Sequence, residues 1–294
     1  MKKTIGSDFT NSIGAIINPE TIVNKQLNGC ILSSVLINGS FNGVSIDGTS
    51  FKNARGTIEI DPQKLWLKSM HSSILDGVKF IGEFDLVDVI GADFTNSVGA
   101  VIRPMMLKYK SLNKTKLSCV TIIGPFDEVN IQETDFTGSK GAIIDPQKVA
   151  QKSLRKTILC DATIDGSFDD VDIVRTNFTG STGAVIDPYE VKNKSFYFTI
   201  LKDAHIDGAF MGAVIDGADF TGSTGAEIRP ILLKGRSLDY ANLCDAKVHN
   251  ISKYISAKGT IFDGAIIIDD KKEEFIGDDE KTMIKRKIYD VINK

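Results

Sequence analysis

The stretch "TDFTGSKGAIIDP" at residues 134–146 recurs as "TNFTGSTGAVIDP" at 176–188 and as "ADFTGSTGAEIRP" at 218–230. Its phenylalanine marks a period of 42 residues, once 43, along most of the 294-residue chain, at Phe9, Phe51, Phe94, Phe136, Phe178, Phe220 and Phe262. A glycine stands five residues after each of the first six, and a proline follows each glycine. Such self-similarity predicts a solenoid in which each unit buries its apolar side by stacking on the next.

Inside each unit the large apolar residues follow a shorter spacing. They recur in steps of 5, 5, 5, 4, 5 and 5 residues at Val191, Phe196, Leu201, Ile206, Phe210, Ile215 and Phe220. A helix would give steps of three and four, and a plain strand would give steps of two. A step of five instead predicts a chain that turns a corner after every few extended residues, with one large side chain inward per side. We therefore expect an all-β solenoid in which the first six phenylalanines of the period form one interior column.

The residues around these apolar centres resemble the pentapeptide-repeat family and its A-(D/N)-(L/F)-x-x unit. The resemblance is carried by "ADFTG" at 218–222, "ANLCD" at 241–245 and "TNFTG" at 176–180, and it covers most of the chain. It implies a right-handed quadrilateral β-helix with four five-residue sides per coil, and hence two coils per 42-residue unit. The expected domains are this β-helix over 1–264 and a C-terminal capping or dimerisation helix over 265–294.

Each unit departs from the family pattern at one place. Phe178 and Val191 are separated by thirteen residues where two sides need only ten. The Asp-Pro or Asn-Pro pair found in most of these segments is typical of a helix N-cap followed by the first helical position. We therefore expect a short helical turn at one corner per unit.

Composition excludes several classes of protein. Charged residues make up 25% of the chain and the net charge is -3, so bulk charge predicts no direct nucleic-acid binding. No signal peptide and no apolar run long enough for a membrane span is visible, which favours a cytoplasmic protein without a membrane partner. The four cysteines and three histidines are scattered, so we expect reduced thiols, no metal site and no cofactor. No catalytic set is visible, and we expect no enzyme.

A cation stands six residues after each repeat proline. This basic column comprises Lys25, Lys68, Lys110, Lys152, Lys194 and Arg236. The column could be a track for a polyanion. A structural interpretation is favoured, because residues nineteen apart should share a side, which brings acids of the neighbouring coil beside the cations. This register predicts Lys68 near Asp88, Lys110 near Glu128, and Lys152 beside Asp170 and Asp172.

The same acids form the candidate interaction surface: Asp85, Asp88, Asp127, Glu128, Asp169, Asp170 and Asp172. The first hypothesis for function is a non-catalytic scaffold that binds an unknown protein partner. The alternative, implied by the family resemblance, is a DNA mimic that binds DNA gyrase or topoisomerase, inhibiting it or protecting it from quinolones. A third class, a polysaccharide-cleaving β-helix enzyme, lacks the clustered acids or the basic catalyst that it would need.

The end of the chain differs from the repeats. In residues 278–294 apolar side chains fall at helical spacing, at Ile284, Ile288, Val291 and Ile292. This pattern predicts a helix that caps the last coil, or else one through which two copies form a homodimer.

Overall fold

A computed structural model describes residues 6–269 of the chain. These residues form two compact units, of which unit 1 comprises 6–151 and 160–163, and unit 2 comprises 152–159 and 164–269. The C-terminal helix expected from Ile284, Ile288, Val291 and Ile292 lies outside the described residues.

The regular elements are very short. The strands are β1 (Ile16–Ile17), β2 (Leu36–Ile37), β3 (Ile58–Ile60), β4 (Val78–Phe80), β5 (Val101–Ile102), β6 (Thr121–Ile122), β7 (Ile143–Ile144), β8 (Thr163–Ile164), β9 (Val185–Ile186), β10 (His205–Ile206), β11 (Glu227–Ile228), β12 (Lys247–His249) and β13 (Ile266–Ile268). The 3-10 turns are Pro19–Thr21, Val23–Lys25, Pro62–Lys64, Trp66–Lys68, Pro104–Met106, Lys108–Lys110, Ala150–Lys152, Lys192–Lys194, Pro230–Leu232 and Lys234–Arg236.

Strand pairing is parallel in both units. In unit 1, β1 pairs with β2, β3 with β4 and β5 with β6; in unit 2, β9 pairs with β10, and β12 lies between β11 and β13. Single bridges extend this ladder with separations of 19 residues, as between Lys116 and Asp135, and of 23 residues, as between Asp93 and Lys116. The same separations recur in unit 2, between Asn177 and Ile200 and between Ile200 and Asp219. Parallel pairing at such near-constant separations makes each unit a β solenoid, and the two separations together equal the 42-residue period.

The core consists of the apolar residues at five-residue spacing. In unit 2 every side chain of the run Leu154, Leu159, Ile164, Phe168, Ile173 and Phe178 is buried, as is every one from Val191 to Phe220 in the run given above. Five of the six column phenylalanines are completely buried: Phe51, Phe94, Phe136, Phe178 and Phe220. Phe9 is only half-buried, against expectation, because a described coil packs against it on one side only.

The polar residues that recur in each repeat form hydrogen bonds within their own turn and between neighbouring coils. The carboxylate of Asp135 accepts a hydrogen bond from the amide of Thr137 at 2.9 Å, and the same turn recurs at four equivalent positions, Asp8, Asp93, Asn177 and Asp219. The hydroxyl of buried Thr134 donates to the carbonyl oxygen of Leu112 in the preceding coil at 2.7 Å. The same residue types recur because each unit contains the same buried polar groups, and each of these groups needs a hydrogen-bond partner.

The residues after each proline leave the five-residue pattern through two successive turns. Asn18 and Asp61 act as N-caps, since their side chains accept hydrogen bonds from the amides of residues 20 and 63. The second turn ends in two left-handed residues, and the second of these is always the cation of the basic column, with φ between 43° and 53°. The basic column therefore lies at a corner.

Candidate interaction surfaces

Two of the acids predicted to form an interaction surface are held by cations of unit 1. Glu128 pairs with Lys110 at 2.8 Å, as the nineteen-residue register predicts, and this hydrogen bond lowers the pKa of Glu128. Asp85 accepts two hydrogen bonds from the guanidinium of Arg103, at 2.9 and 3.2 Å, and Glu83 lies 3.1 Å from the same group. The hydrogen bond with Asp85 raises the pKa of Arg103. The charges of these acids are thus locally balanced.

The backbone register of the other two predicted pairs is correct, but their side chains are paired differently. Lys68 accepts a backbone hydrogen bond from Asp88 at 2.9 Å, yet its ammonium group donates to Gln63 at 2.6 Å and Asp88 faces His71. The reason is a local turn, since the Asp88 carboxylate accepts from the amide of Ile90 and is therefore held along its own coil.

Asp172 behaves in the same way in unit 2. Its amide donates to the carbonyl of Lys152 at 2.9 Å, as the register requires. Its carboxylate accepts from the amide of Val174 and lies 3.4 Å from the guanidinium of Arg155 instead of pairing with Lys152. Within the part of the chain that the structure describes, Lys152 forms no ion pair.

The remaining members of the two predicted sets do not share a site. Asp127 is half-buried, whereas Asp169 and Asp170 are exposed. In the basic column, Lys25 approaches the carbonyl of Asn42 at 3.4 Å, Lys194 lies over the ring of Tyr189 at 3.2 Å, and Arg236 is exposed. Acids and cations are therefore interleaved among the described residues of each unit.

The structure brings together a group of exposed apolar side chains that sequence reasoning missed. We call Trp66, Leu67, Leu86, Met106 and Tyr109 the unit 1 apolar surface; between 47% and 69% of each residue is exposed. The coils connect them directly, because the amide of Leu86 donates to the carbonyl of Met106 at 2.7 Å. The ammonium group of Lys108 reaches the carbonyl of Leu67 at 3.5 Å and lies 5.2 Å from the centre of the Tyr109 ring.

These apolar residues stand at positions where most other repeats have polar or small residues. The position of Trp66 is taken by Val23, Lys108, Ala150, Lys192 and Lys234, that of Leu86 by Gly43, Glu128, Asp170, Gly212 and Tyr254, that of Met106 by Thr21, Lys64, Lys148, Glu190 and Leu232, and the position shared by Leu67 and Tyr109 by Asn24, Gln151, Asn193 and Gly235. A comparison of the repeats column by column could have found this signal. The stacking of coils does not need these side chains, since other repeats omit them.

Two lysines border the unit 1 apolar surface without carboxylate partners in the described residues. Lys108 contacts the Leu67 carbonyl, and Lys68 contacts the Gln63 side chain. Ion pairs near the surface use other cations, namely Lys64 with Asp61 and Lys110 with Glu128. The edge of the apolar surface is therefore positively charged at Lys68 and Lys108.

Among the described residues, metal-binding clusters, membrane-spanning helices and disulfide bonds are absent, and an open cavity is present. Within 6–269 no group of three or more His, Cys, Asp or Glu side chains could hold a metal ion, and no helix is long and apolar enough to cross a membrane. The four cysteines, all within these residues, form no disulfide bond. An open cavity of about 310 Å³ in unit 2 is lined by His205, Asp207, Glu227 and Arg229 among others. Two of these side chains have partners, since Glu227 pairs with Lys247 at 2.9 Å and His205 contacts Thr224.

Comparisons with known proteins find similarity among solved structures only; no protein family and no curated protein matches the sequence. The chain is similar to a trypsin-treated variant of QnrB1, a plasmid-mediated fluoroquinolone resistance protein, at 10% identity and a TM-score of 0.23, over 94% of this chain and 93% of that chain. It is also similar to HetL, a pentapeptide repeat protein involved in heterocyst differentiation regulation from the cyanobacterium Nostoc sp. strain PCC 7120. There the identity is 14% and the TM-score 0.16, over 80% of this chain and 86% of that chain.

Proposed function

We propose that the chain is a pentapeptide-repeat β-helix that acts as a non-catalytic scaffold for binding another protein. In this proposal the β-helix is right-handed and four-sided, with two coils per 42-residue unit. The bridges at separations of 19 and 23 residues and the buried apolar residue at every fifth position support it. The C-terminal segment is proposed as a cap or a homodimer contact.

The observation that carries the scaffold function is the unit 1 apolar surface. A tryptophan, a tyrosine and three aliphatic or thioether side chains are exposed together at positions where most other repeats have polar or small residues. Exposed apolar groups of this kind, bordered by charge, are typical of protein-binding sites, and Trp and Tyr contribute most at such sites. Because Lys68 and Lys108 lie at the border without a carboxylate partner among residues 6–269, the partner we propose presents apolar side chains flanked by acidic residues.

This function predicts a partner whose binding depends on Trp66 and Tyr109. A photo-crosslinking residue at position 67 identifies candidates, and each candidate is then purified and titrated against the scaffold. Each of the substitutions Trp66→Ala and Tyr109→Ala should weaken binding by about 30-fold, and the two together by several hundred-fold, since each side chain of this type contributes about 2 kcal/mol. Lys68→Glu with Lys108→Glu should also weaken it and reduce its salt dependence.

The matched control replaces Ile81 and Ile123, which are exposed to a similar degree in unit 1 but lie outside the surface. This control should bind the partner like the native chain. A partner whose affinity is unchanged by the Trp66 and Tyr109 substitutions would contradict the proposal. So would sedimentation showing that the surface is used only between two copies of this chain.

DNA mimicry is the second candidate, and the charge pairing favours the scaffold over it. Replacing Asp169, Asp170 and Asp172 by Asn should change the free energy of unfolding by no more than about 1 kcal/mol, because exposed ion pairs contribute little. Asn keeps the oxygen that accepts from Val174, and Asn tolerates the left-handed conformation of residue 170, with φ 58°. We expect neither the native chain nor the triple variant to alter DNA gyrase in a supercoiling assay. Inhibition or quinolone protection by the native chain that is lost in the variant would establish mimicry instead.

A further inference from the structure

A second surface, in unit 2, has aromatic rings at one corner of successive coils. The strand and bridge registers align Arg175, Phe198, Gly217, Tyr240 and Gly259 as one column, which we call the aromatic corner. The equivalent residues of unit 1 are small or charged, namely Gly29, Gly48, Ser72, Gly91, Lys114 and Glu133. The aromatic residues are thus particular to unit 2.

Each ring of the aromatic corner lies against the glycine of the following coil. A Cβ atom placed on Gly217 would be 2.7 Å from two carbons of the Phe198 ring, and one placed on Gly259 would be 2.8 Å from a carbon of the Tyr240 ring. Phe198 is nevertheless 44% exposed and Tyr240 is 53% exposed. Each ring therefore lies against a glycine on one side, and the Phe198 ring also meets that of Tyr197 edge-to-face, with 4.6 Å between ring centres. The rest of each ring is open to solvent.

The backbone gives no reason for aromatic residues at these positions. Phe198 and Tyr240 have φ angles of 53° and 61°, a left-handed conformation that costs a bulky residue energy and costs glycine little. Glycine occupies the same corner in the following coils, at Gly217 and Gly259. Bulky residues held in such conformations point to a function for the side chains.

Polar groups surround the rings. The guanidinium of Arg175 lies 5.7 Å from the centre of the Phe198 ring, and the ammonium group of Lys258 lies 5.8 Å from that of Tyr240. Two carboxylates lie in the neighbouring column: Asp216 accepts from Ser237, and Asp239 accepts from Ser256 at 2.6 Å. The site thus combines partly exposed aromatic rings with hydrogen-bond acceptors and donors.

We propose that the aromatic corner binds an extended β-linked glycan chain. A pyranose ring presents an apolar C–H face, which suits an aromatic ring, and hydroxyl groups at its edge, which suit carboxylate and guanidinium partners. Phe198 and Tyr240 are two coils apart, about 10 Å if each coil adds the usual strand spacing of about 4.8 Å, which is close to the length of a disaccharide in a β-1,4-linked chain. A nucleic acid fits less well, because its phosphates would meet the like charges of Asp216 and Asp239.

The test is a titration of the full chain with cellohexaose and with chitohexaose, followed by isothermal calorimetry. The variant replaces Phe198 and Tyr240 by Gly, which removes both rings and relieves the left-handed strain, so the thermal midpoint should not fall appreciably. We expect at least one hexasaccharide to bind the native chain and at least a tenfold loss of affinity in the variant. Tyr254→Ala, which removes an exposed ring of unit 2 outside the column, should bind like the native chain.

Three results would overturn this inference. The first is that neither hexasaccharide binds, and the second is that binding is unchanged in the glycine variant. The third is that the native chain binds a single-stranded oligonucleotide instead of the glycans and that the glycine variant loses this binding. The site lies in unit 2 and does not depend on the scaffold function proposed for unit 1. A failure here therefore leaves the Trp66 and Tyr109 experiment unaffected.

Discussion

Replacing Phe136 by alanine should lower the free energy of unfolding by about 3–5 kcal/mol. Its ring is completely buried and meets that of Phe126 edge-to-face, with 5.7 Å between ring centres. Backbone hydrogen bonds fix the distance between neighbouring coils, such as the one from the Leu117 amide to the Asp135 carbonyl at 2.9 Å. Because these bonds keep the coil spacing fixed, we expect the cavity to remain largely unfilled, so that the loss of packing contacts adds to the loss of apolar burial.

Chemical denaturation of the native chain and the variant measures this effect. The matched control is Phe9→Ala, at the same repeat position, where the half-buried ring should contribute clearly less. Equal losses from the two substitutions would show that the phenylalanines do not act as a stacked interior column.

Much of the fold could be predicted from the sequence because each repeat places the same kinds of residue at the same positions of a coil. Phe136 predicts an inward side chain, Asp135 a turn that bonds the amide two residues later, and Thr134 a small buried residue. The same three roles return at 42-residue intervals, so local propensity and packing favour one structure at every level. The backbone register of nineteen residues followed from this spacing together with the four sides per coil that the family resemblance implied.

Side-chain pairing could not be predicted from the register. A register places Lys68 beside Asp88, but the carboxylate of Asp88 also competes for the amide of Ile90 in its own turn, and the turn decides its direction. Lys110 and Glu128 do pair, at 2.8 Å, because Glu128 has a longer side chain and makes no such turn. A hydrogen bond within a local turn and an exposed ion pair differ little in free energy. A sequence pattern therefore does not predict which of the two a carboxylate forms.

Both proposed surfaces escaped the sequence reasoning for another reason. Trp66, Leu86 and Tyr109 are far apart in sequence and differ in chemistry, so no motif or periodicity joins them. Periodicity emphasises what the repeats share, whereas these residues are informative because they differ from their repeat equivalents. Phe198 and Tyr240 have the same character, since only the left-handed backbone and the neighbouring glycines distinguish them from other exposed aromatic residues.

The glycine five residues after each repeat phenylalanine leads to the second prediction of large effect. A Cβ atom built on Gly141 would be 2.7 Å from the carbonyl oxygen of Ile122 in the preceding coil, and at Gly56 and Gly99 the corresponding distance is 2.8 Å. Gly183 and Gly225 approach the carbonyls of Ile164 and Ile206 in the same way. This column of glycines therefore lets one coil pass close over the backbone of another.

Gly141→Ala should destabilise the protein by about 3 kcal/mol or more, of which about 1–2 kcal/mol is the cost of a left-handed alanine at φ 78°. The remainder comes from displacing the coil, which weakens the bond of 2.7 Å from the Ile122 amide to the Lys140 carbonyl. Gly124→Ala is the matched control, since Gly124 has φ 91° but no atom within 4 Å of a built Cβ, so it should show the conformational cost alone. Denaturation curves that gave the two variants equal stability would mean that the coils do not approach each other closely at this column.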